Sequence, residues 1–330
     1  MGRIFIEGFE GQDGAAWQAI SYPANWSVVS GDPDFHGYYL EHAQSSYGLY
    51  HQVLPSGYNE LYVAMKMKIL SSLGVDNSIF QFWNTNVSLC YFGIDWSTWR
   101  WVVGSASSDK QYSDELATTD LLYKVQFYCK IDATVGRLVL KIDDVTVCDF
   151  TGDTRHGSPY TAVNTMTAFN IGSYAKMRFD DIIIETSEYP GDTEVMGIKP
   201  IAEGATTSWT PSGEADNWDN VDECPYSDTD FNWTNDVDQL DTFETENLSG
   251  AIKEVKAVQV SARIIKSGLA VPQNINMAVR IGGVDYLSPD LVIPSLKGPV
   301  YYCWDLSPAT SADWSESEVN AAEFGYKSKA

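Results

Sequence analysis

The sequence predicts an all-β protein of two β-sandwich domains, and three observations support this prediction. Apolar and polar side chains alternate over many short segments, most clearly over Tyr123–Ile131, and a period of two is typical of a half-buried strand. Tight corners such as Asp143-Asp144 and Gly282-Gly283 separate successive segments. The clearest helix-start pattern stands near the C-terminus and precedes only a short helix. Short strands joined by turns favour sandwiches.

The first domain is predicted over residues 1–190, with a concanavalin A-like jelly-roll sandwich as its fold. Its strand-like segments, in order, are 58–69, 78–83, 88–92, 100–103, 123–131, 137–142, 145–150, 166–172 and 177–184. Asp180 and Asp181 are neighbours in the last segment. Because successive strand residues point to opposite faces, we expect these two carboxylates not to act as a pair. Pro190 and Gly191 mark a linker over residues 191–196.

The second domain, residues 197–330, is predicted to be a smaller β-sandwich with acidic loops. Residues 200–252 contain no Lys or Arg and many Asp, Asn, Ser and Thr, which indicates long loops anchored by a few aromatic residues. Strands are expected at 255–265, 275–281, 284–287 and 301–306. A short helix should follow Ser315, because Ser315 can cap it and Glu318 can return the hydrogen bond.

Composition excludes several classes of partner. The chain of 330 residues has a formal net charge of −24, which argues against nucleic acid and against anionic membrane surfaces. No apolar run approaches the length of a membrane span. The cysteines are odd in number and have no CxxC spacing, so we expect reduced, buried thiols and a reducing compartment. They are Cys90, Cys129, Cys148, Cys224 and Cys303.

Two parts of the chain resemble known modules. Phe5-Ile-Glu-Gly-Phe-Glu, the strand pair within Tyr123–Phe150 and Arg178-Phe-Asp-Asp-Ile-Ile resemble concanavalin A-like sandwiches of the laminin-G type, which are frequent in tailed-bacteriophage virions. The C-terminal part is similar to a β module of phage structural proteins. That second resemblance is carried by Val221-Asp-Glu, Asp241-Thr-Phe, the strand from Val255 to Ile264, Arg280-Ile-Gly-Gly, Leu306-Ser-Pro-Ala-Thr, Trp314 and the segment from Val319 to Tyr326.

The resemblance implies a non-enzymatic structural protein of the virion: a capsid decoration, a head fibre or a tail-associated protein. Such a chain would be assembled in the host cytoplasm and would contact other virion proteins and further copies of itself, without a cofactor. The alternative hypothesis is a host-glycan adhesin or carbohydrate-binding module. A β-sandwich glycanase is the third hypothesis, although the sequence shows neither a glucanase carboxylate motif nor a nucleophile elbow.

A group of tryptophans is the best candidate for contact with a glycan or a subunit interface. The group consists of Trp83, Trp96, Trp99 and Trp101. Flat indole rings stack on sugar faces, and aromatic residues are also enriched at protein interfaces. If residues 98–103 are extended, Trp99 and Trp101 share one face.

An acidic segment is the candidate metal site. Asp228-Thr-Asp-Phe-Asn begins like a calcium loop, but Trp233 replaces the turn glycine and Gln239 replaces the bidentate acid. An irregular Ca²⁺ site could still draw on the carboxylates of this segment, and a solvated acidic loop is the alternative. The carboxylates are Asp228, Asp230, Asp236, Asp238 and Asp241.

Overall fold

The structure is a computed structural model that describes residues 2–10, 19–21, 26–35, 37–42, 49–71, 77–105, 109–155, 157–168, 176–224, 226–268 and 272–330. It divides into two compact units, Met1–Val195 and Met196–Ala330. Antiparallel strands make up most of the described chain, with one short α-helix, so the all-β prediction is confirmed. None of the helices in the described ranges is long and apolar enough to cross a membrane.

Fifteen strands of the first unit fall within the described residues. They are β1 Arg3–Glu7, β2 Ala19–Ser21, β3 Trp26–Ser30, β4 Tyr38–His42, β5 Leu49–Tyr58, β6 Glu60–Ser71, β7 Asn77–Asn84, β8 Val87–Asp95, β9 Arg100–Ser105, β10 Lys110–Leu116, β11 Leu122–Lys130, β12 Gly136–Ile142, β13 Val145–Gly152, β14 Val163–Ala168 and β15 Lys176–Glu185. The predicted strand 166–172 is present up to Ala168, and its remainder lies outside the described residues.

These strands form two antiparallel sheets. Sheet A has the order β13-β12-β11-β6-β15-β4-β3, with β1 also paired to β15. Sheet B has the order β10-β9-β8-β7-β14-β5-β2. Consecutive strands β11, β12 and β13 are neighbours, and the corner between β12 and β13 is Asp143-Asp144 as predicted, with φ of 49° and 66°. Positive φ at both corner residues matches the twist of a two-residue hairpin.

The core lies between sheet A and sheet B, where alternate residues of each strand meet. Phe127 of sheet A contacts Phe82 and Phe92 of sheet B, with ring centroids 5.2 and 5.1 Å apart. Trp101 of sheet B meets Tyr123 of sheet A edge to face at 5.2 Å. Phe82, Phe92, Phe127 and Trp101 are each 1% exposed or less. This face-to-face contact of aromatic rings is what defines the sandwich.

The prediction that Asp180 and Asp181 point to opposite faces is wrong, because β15 contains a β-bulge there. Asp180 pairs with Lys66 of β6, but the next register pair joins Ile183 to Ala64, so β15 carries one extra residue. Asp181 adopts a φ of 51° at this bulge. An inserted residue interrupts the alternation of side chains. Both carboxyl groups therefore lie close to the Lys66 ammonium.

The second unit contains ten described strands. They are β16 Pro200–Glu203, β17 Thr210–Ser212, β18 Phe231–Trp233, β19 Leu240–Thr245, β20 Val258–Ile264, β21 Asn274–Ile281, β22 Val284–Leu287, β23 Leu291–Val292, β24 Gly298–Trp304 and β25 Glu323–Lys329. Sheet C has the order β16-β19-β25-β21-β22, with β23 on β21, and two further pairs are β17-β18 and β20-β24. Segment 200–252 was predicted as loops, yet it contributes four short strands.

The core of the second unit lies where sheet C meets the β20-β24 pair. Met277 and Val279 of β21 belong to one buried cluster with Trp304 and Trp314, and the β20 residues Val258 and Val260 pack against it. The predicted Gly282-Gly283 hairpin joins β21 to β22. These features support a second sandwich-like core that is smaller than the first.

A buried carboxylate joins two loops of the second unit. Asp241 is 0% exposed and accepts hydrogen bonds from the backbone N–H groups of Ser208 and Trp209 at 2.6 and 2.8 Å. The side-chain amide of Asn217 donates to its other oxygen at 2.6 Å. Burial nevertheless raises the pKa of Asp241, and these three hydrogen bonds oppose that rise.

The helix, α1 Glu316–Ala321, begins where the sequence predicts. Ser315 Oγ accepts a hydrogen bond from the Glu318 N–H at 3.1 Å, which is the expected N-cap. The predicted return bond is different, because the Glu318 carboxylate accepts from Ser307 Oγ at 2.6 Å. The helix cap is therefore tied to the loop before it.

None of the five cysteines takes part in a disulfide. Cys90, Cys129 and Cys148 are buried in the first unit, as expected for small apolar side chains, while Cys224 and Cys303 are half-buried. Burial raises the pKa of Cys148 to about 12. A thiol with so high a pKa is a poor nucleophile at neutral pH.

Candidate functional site

The outer face of sheet B, turned away from sheet A, carries an unusual set of uncharged polar and aromatic residues. We call it the uncharged face and define it by Gln81, Trp83, Tyr91, Thr165 and Thr167. The ring of Phe82 points into the core, so its strand neighbours Gln81 and Trp83 point outward. Gln81, Trp83 and Tyr91 are half-buried, and Thr165 and Thr167 are 5% and 4% exposed.

Strand register brings these residues together from distant parts of the chain. Gln81 is the partner of Tyr91 on one side and of Thr167 on the other. Tyr91 is in turn the partner of Gly104, and Thr167 is the partner of His51. Cross-strand partners have Cβ atoms about 5 Å apart, so the row forms one continuous surface. Trp83 and Thr165 form a second partnered pair beside it.

Two polar atoms of this face are buried without a hydrogen-bond partner. Trp83 Nε1, a donor, and Gln81 Oε1, an acceptor, find no partner among the residues that the structure describes. The other end of the Gln81 amide is engaged, since Nε2 donates to Ser78 Oγ. A buried polar group that stays unpaired costs about 1–3 kcal/mol.

The strand end that carries Trp83 is fixed by side-chain amides. Asn84 Nδ2 donates to the carbonyl oxygen of Ala162 at 2.7 Å. The Thr85 N–H donates to Asn164 Oδ1 at 2.9 Å, and Thr85 has a φ of 53°. These bonds tie the β7–β8 turn to the start of β14. Trp83 is therefore held on a rigid edge, which suits a binding residue.

A glycine makes room for Tyr91. A Cβ built on Gly104 would lie 2.9 Å from Tyr91 Oη and 3.0 Å from the ring, which is closer than atoms in ordinary contact. The Tyr91 ring therefore lies across β9 at the position where another residue would have a side chain. Glycine in a strand often marks such a close approach. The phenol group is thereby placed beside Gln81.

The predicted tryptophan group does not form one exposed platform. Trp101 is 1% exposed inside the core, and Trp96 is 4% exposed against the Trp99 ring, with centroids 5.2 Å apart. Trp99 has a φ of 59° in the turn before β9, so it does not alternate with Trp101 as an extended segment would require. Enclosed rings have no free face for a sugar. Trp83 is the member that lies on the uncharged face.

The candidate calcium carboxylates are directed to different partners. Asp228 pairs with Lys297 at 2.6 Å and Arg263 at 3.1 Å, and Asp238 pairs with Lys327 and Lys329 at 3.3 Å. Asp241 is held by the hydrogen bonds described above, including one from Asn217. Asp230 interacts with Glu223. The backbone N–H of Asp236 donates to Thr234 Oγ1 and closes a turn.

No group of three or more acidic, His or Cys side chains in the described ranges is placed to hold a metal ion. Calcium binding therefore remains a prediction from the sequence alone.

The bulge in β15 creates the most perturbed carboxyl groups of the first unit. Asp180 and Asp181 are 1% and 3% exposed. Burial, and then the neighbouring charge of Asp181, raises the pKa of Asp180 to about 9. Burial also raises the pKa of Asp181, opposed by Lys66, whose Nζ lies 2.8 Å from Asp181 Oδ2. Their enclosure prevents contact with a substrate, so we assign this cluster a structural role.

Sequence reasoning missed most of the uncharged face. Gln81, Tyr91, Thr165 and Thr167 belong to no motif, and only strand register makes them neighbours. One signal was available: segments 77–94 and 163–168 contain no charged residue, in a chain with 45 acidic and 21 basic ones. Exposed strand faces are normally charged in such a chain.

Comparison with known proteins gives a likeness of fold. No family model matches the chain, and no curated protein matches it. Among solved structures it is similar to the cellulose-induced protein Cip1, with 12% identity, 58% of this chain and 99% of that chain covered, and a TM-score of 0.42. It is also similar to a carbohydrate esterase from the Shiga toxin-encoding bacteriophage phi24B, with 13% identity, 56% of this chain and 99% of that chain covered, and a TM-score of 0.43. The alginate lyase Aly36B is similar with 12% identity, 52% of this chain and 87% of that chain covered, and a TM-score of 0.38.

At these identities the likeness extends to the β-sandwich fold and to nothing more specific. The expectation that the chain is not an enzyme is wrong. It rested on the view that such a sandwich is usually an assembly or binding module. Two of the three similar structures are an esterase and a lyase by name. Fold by itself does not determine function.

Proposed function

We propose that this chain binds carbohydrate through the uncharged face of sheet B. The observation that carries the proposal is the set of half-buried side chains that strand register brings together on this face, with the rings of Trp83 and Tyr91 beside the amide of Gln81. Sugar hydroxyl groups both donate and accept hydrogen bonds, so they can pair with the half-buried phenol of Tyr91 on this face. The rings of Trp83 and Tyr91 supply the apolar surface on which a pyranose ring stacks. The names of the similar structures agree with this proposal without carrying it.

Affinity electrophoresis of the full chain in gels that contain polysaccharides tests the proposal. Replacing Trp83 by alanine removes the ring and the donor together. We expect affinity to fall at least about tenfold, which corresponds to about 1.4 kcal/mol. Trp83→Phe keeps a ring and removes the donor, so its loss should be smaller.

Tyr62→Ala is the matched control, because Tyr62 is a half-buried aromatic residue on the outer face of sheet A. Melting curves show whether each variant is folded. Equal retardation of wild type and folded Trp83→Ala would refute the proposal.

Chemical conversion of the bound glycan is a second candidate function, favoured by the residues beside Gln81. Tyr91 carries a phenol that can transfer a proton, and it is the register partner of Gln81. Incubation with each retained polysaccharide, followed by measurement of new reducing ends, tests for turnover. Tyr91→Phe should abolish turnover and retain binding. Loss of binding and turnover together would assign Tyr91 to recognition alone.

The proposals on virion attachment rest on the sequence resemblance. In that setting a glycan-binding chain would be a host adhesin, carried as a homo-oligomer together with other virion proteins. Native mass spectrometry of the purified chain tests the oligomer. Antibody labelling of purified particles tests attachment, and unlabelled particles would refute it.

A further inference from the structure

Two thiols face each other in the core of the first unit. Cys90 lies on β8 of sheet B and Cys129 lies on β11 of sheet A, and both are 0% exposed. Cys90 is the register partner of Phe82 and shares a strand face with Phe92. Cys129 shares a strand face with Phe127, whose ring lies 5.2 and 5.1 Å from the other two rings. The two cysteines therefore point into the same part of the core from opposite sheets.

The thiols of this pair also interact directly. Burial raises the pKa of Cys90, and a side-chain hydrogen bond with Cys129 raises that pKa further. The third buried thiol of the unit has different neighbours, since Cys148 Sγ lies 3.8 Å from the carbonyl oxygen of Trp101 and 3.7 Å from that of Gln111. The core of the sandwich thus contains one pair of adjoining thiols and one separate thiol.

Two cysteines that face each other across a sandwich can be joined covalently. A disulfide requires Cα atoms within about 7 Å of each other. Packed sheets usually lie about 10 Å apart, so the two strands would have to approach each other locally. Immunoglobulin domains show that a β-sandwich can accommodate a disulfide between its sheets.

We propose that Cys90 and Cys129 form a disulfide that joins sheet A to sheet B when the chain folds in the presence of a small-molecule disulfide. The thiolate of one cysteine attacks this oxidant, which releases one thiolate and leaves a mixed disulfide on the protein. The thiolate of the second cysteine attacks the mixed disulfide, closes the bond between the two cysteines and releases the second thiolate. The protein loses two protons and two electrons, and the oxidant is reduced to two thiols.

Burial restricts this reaction to the folding chain. In the folded sandwich both thiols are 0% exposed, so a dissolved oxidant has no access to them. The raised pKa of Cys90 also keeps it in the thiol form, which is not the nucleophile. The state of the pair is therefore decided by the redox conditions under which the chain folds. A chain that folds in a reducing compartment keeps both thiols, and one that folds under oxidising conditions gains a cross-link.

Refolding of the full chain tests the proposal, with Cys224→Ser and Cys303→Ser introduced to remove the half-buried thiols. The chain is reduced in urea and refolded either with reduced glutathione alone or with a mixture of reduced glutathione and glutathione disulfide. Free thiols are then alkylated in urea, and digestion without reductant followed by mass spectrometry identifies linked peptides. We expect the mixture to link Cys90 to Cys129 and to raise the melting temperature by about 5 °C or more. Addition of the same mixture to the folded, reduced chain should form the link at least about tenfold more slowly.

Cys148→Ser is the matched control, because it removes a buried thiol outside the pair. This variant should keep the link and the higher melting temperature, whereas Cys90→Ser should lose both. The chain with the pair intact decides the question even if Cys90→Ser does not fold. Refolding in the mixture with both thiols of the pair still alkylated, or with Cys129 linked to Cys148, would overturn the proposal. A linked form that melts below the reduced form would also overturn it, and equally fast linkage in the folded chain would overturn the restriction to folding.

Discussion

Replacing Asp180 by asparagine should stabilise the first unit above neutral pH. Asp180 is 1% exposed and its pKa is raised from 3.8 to about 9. In the folded state the carboxyl group is therefore protonated up to about pH 9, while in the unfolded chain it ionises near 3.8. The folded state binds more protons between these values, so its stability falls as pH rises through that window.

The size of the effect follows from the two pKa values. Each pH unit between them costs about 1.36 kcal/mol, so at about pH 8 the cost has an upper bound of about 6 kcal/mol. Asp181 and Lys66 share the proton equilibrium, so we expect a smaller value, about 2 kcal/mol or more. Asparagine is neutral at every pH, and its carbonyl can still accept from the Asp181 N–H, as Asp180 does at 2.8 Å.

Urea unfolding, followed by hydrogen exchange in peptides of β6 and β15, reports on the first unit separately. The gain of Asp180→Asn over wild type should grow from about pH 5 to about pH 8. Any loss from the changed hydrogen bonding is the same at each pH, so the slope is the test. Asp114→Asn, at an exposed carboxylate, is the control and should leave the slope unchanged. If the free energy of unfolding of wild type and of Asp180→Asn changed with pH in parallel, the assignment of a bound proton to Asp180 in the folded state would be refuted.

Three further predictions concern single side chains. Gly104→Ala should displace the Tyr91 ring, because the added Cβ takes the space of that ring. We expect the free energy of unfolding to fall by about 1–3 kcal/mol, seen as a lower melting temperature, and glycan retention to weaken. An unchanged affinity for the glycan would contradict the role of Gly104. Asp241→Ala should lower the free energy of unfolding of the second unit by about 3 kcal/mol or more, measured by urea titration, because three donors lose their acceptor; a loss below about 1 kcal/mol would contradict this. Ser315→Ala should cost about 1 kcal/mol through the lost N-cap, whereas Ser317→Ala should cost clearly less in the same titration.

Much of the fold was predictable because it depends on local rules. Alternation over Tyr123–Ile131 corresponds to β11, and the corners at Asp143-Asp144 and Gly282-Gly283 are hairpins because both positions need positive φ. The Ser315 cap depends on a spacing of three residues. Each of these features is decided within a few residues of sequence, and each is present in the structure.

The missed features depend on which strands become neighbours. The bulge at Asp180 arises from pairing with β6, and β6 lies more than a hundred residues earlier. Trp99 and Trp101 are close in sequence but are separated by a turn, so one is enclosed and the other is not. Gln81 and Thr167 meet only through the register of β7 and β14. A sequence without aligned relatives contains little information on such pairings.

The contrast between the two outer faces supports placing the proposed binding surface on sheet B. On sheet A, Asp32 accepts from both Lys68 and Arg178, and Glu41 pairs with Arg178 at 2.8 Å. A ligand there would have to replace partly buried ion pairs, and breaking such a pair leaves an uncompensated charge. On sheet B, Gln81, Trp83 and Tyr91 are half-buried and carry no charge, so a ligand would break no ion pair among them. A ligand on sheet B therefore avoids the cost that a ligand on sheet A would meet.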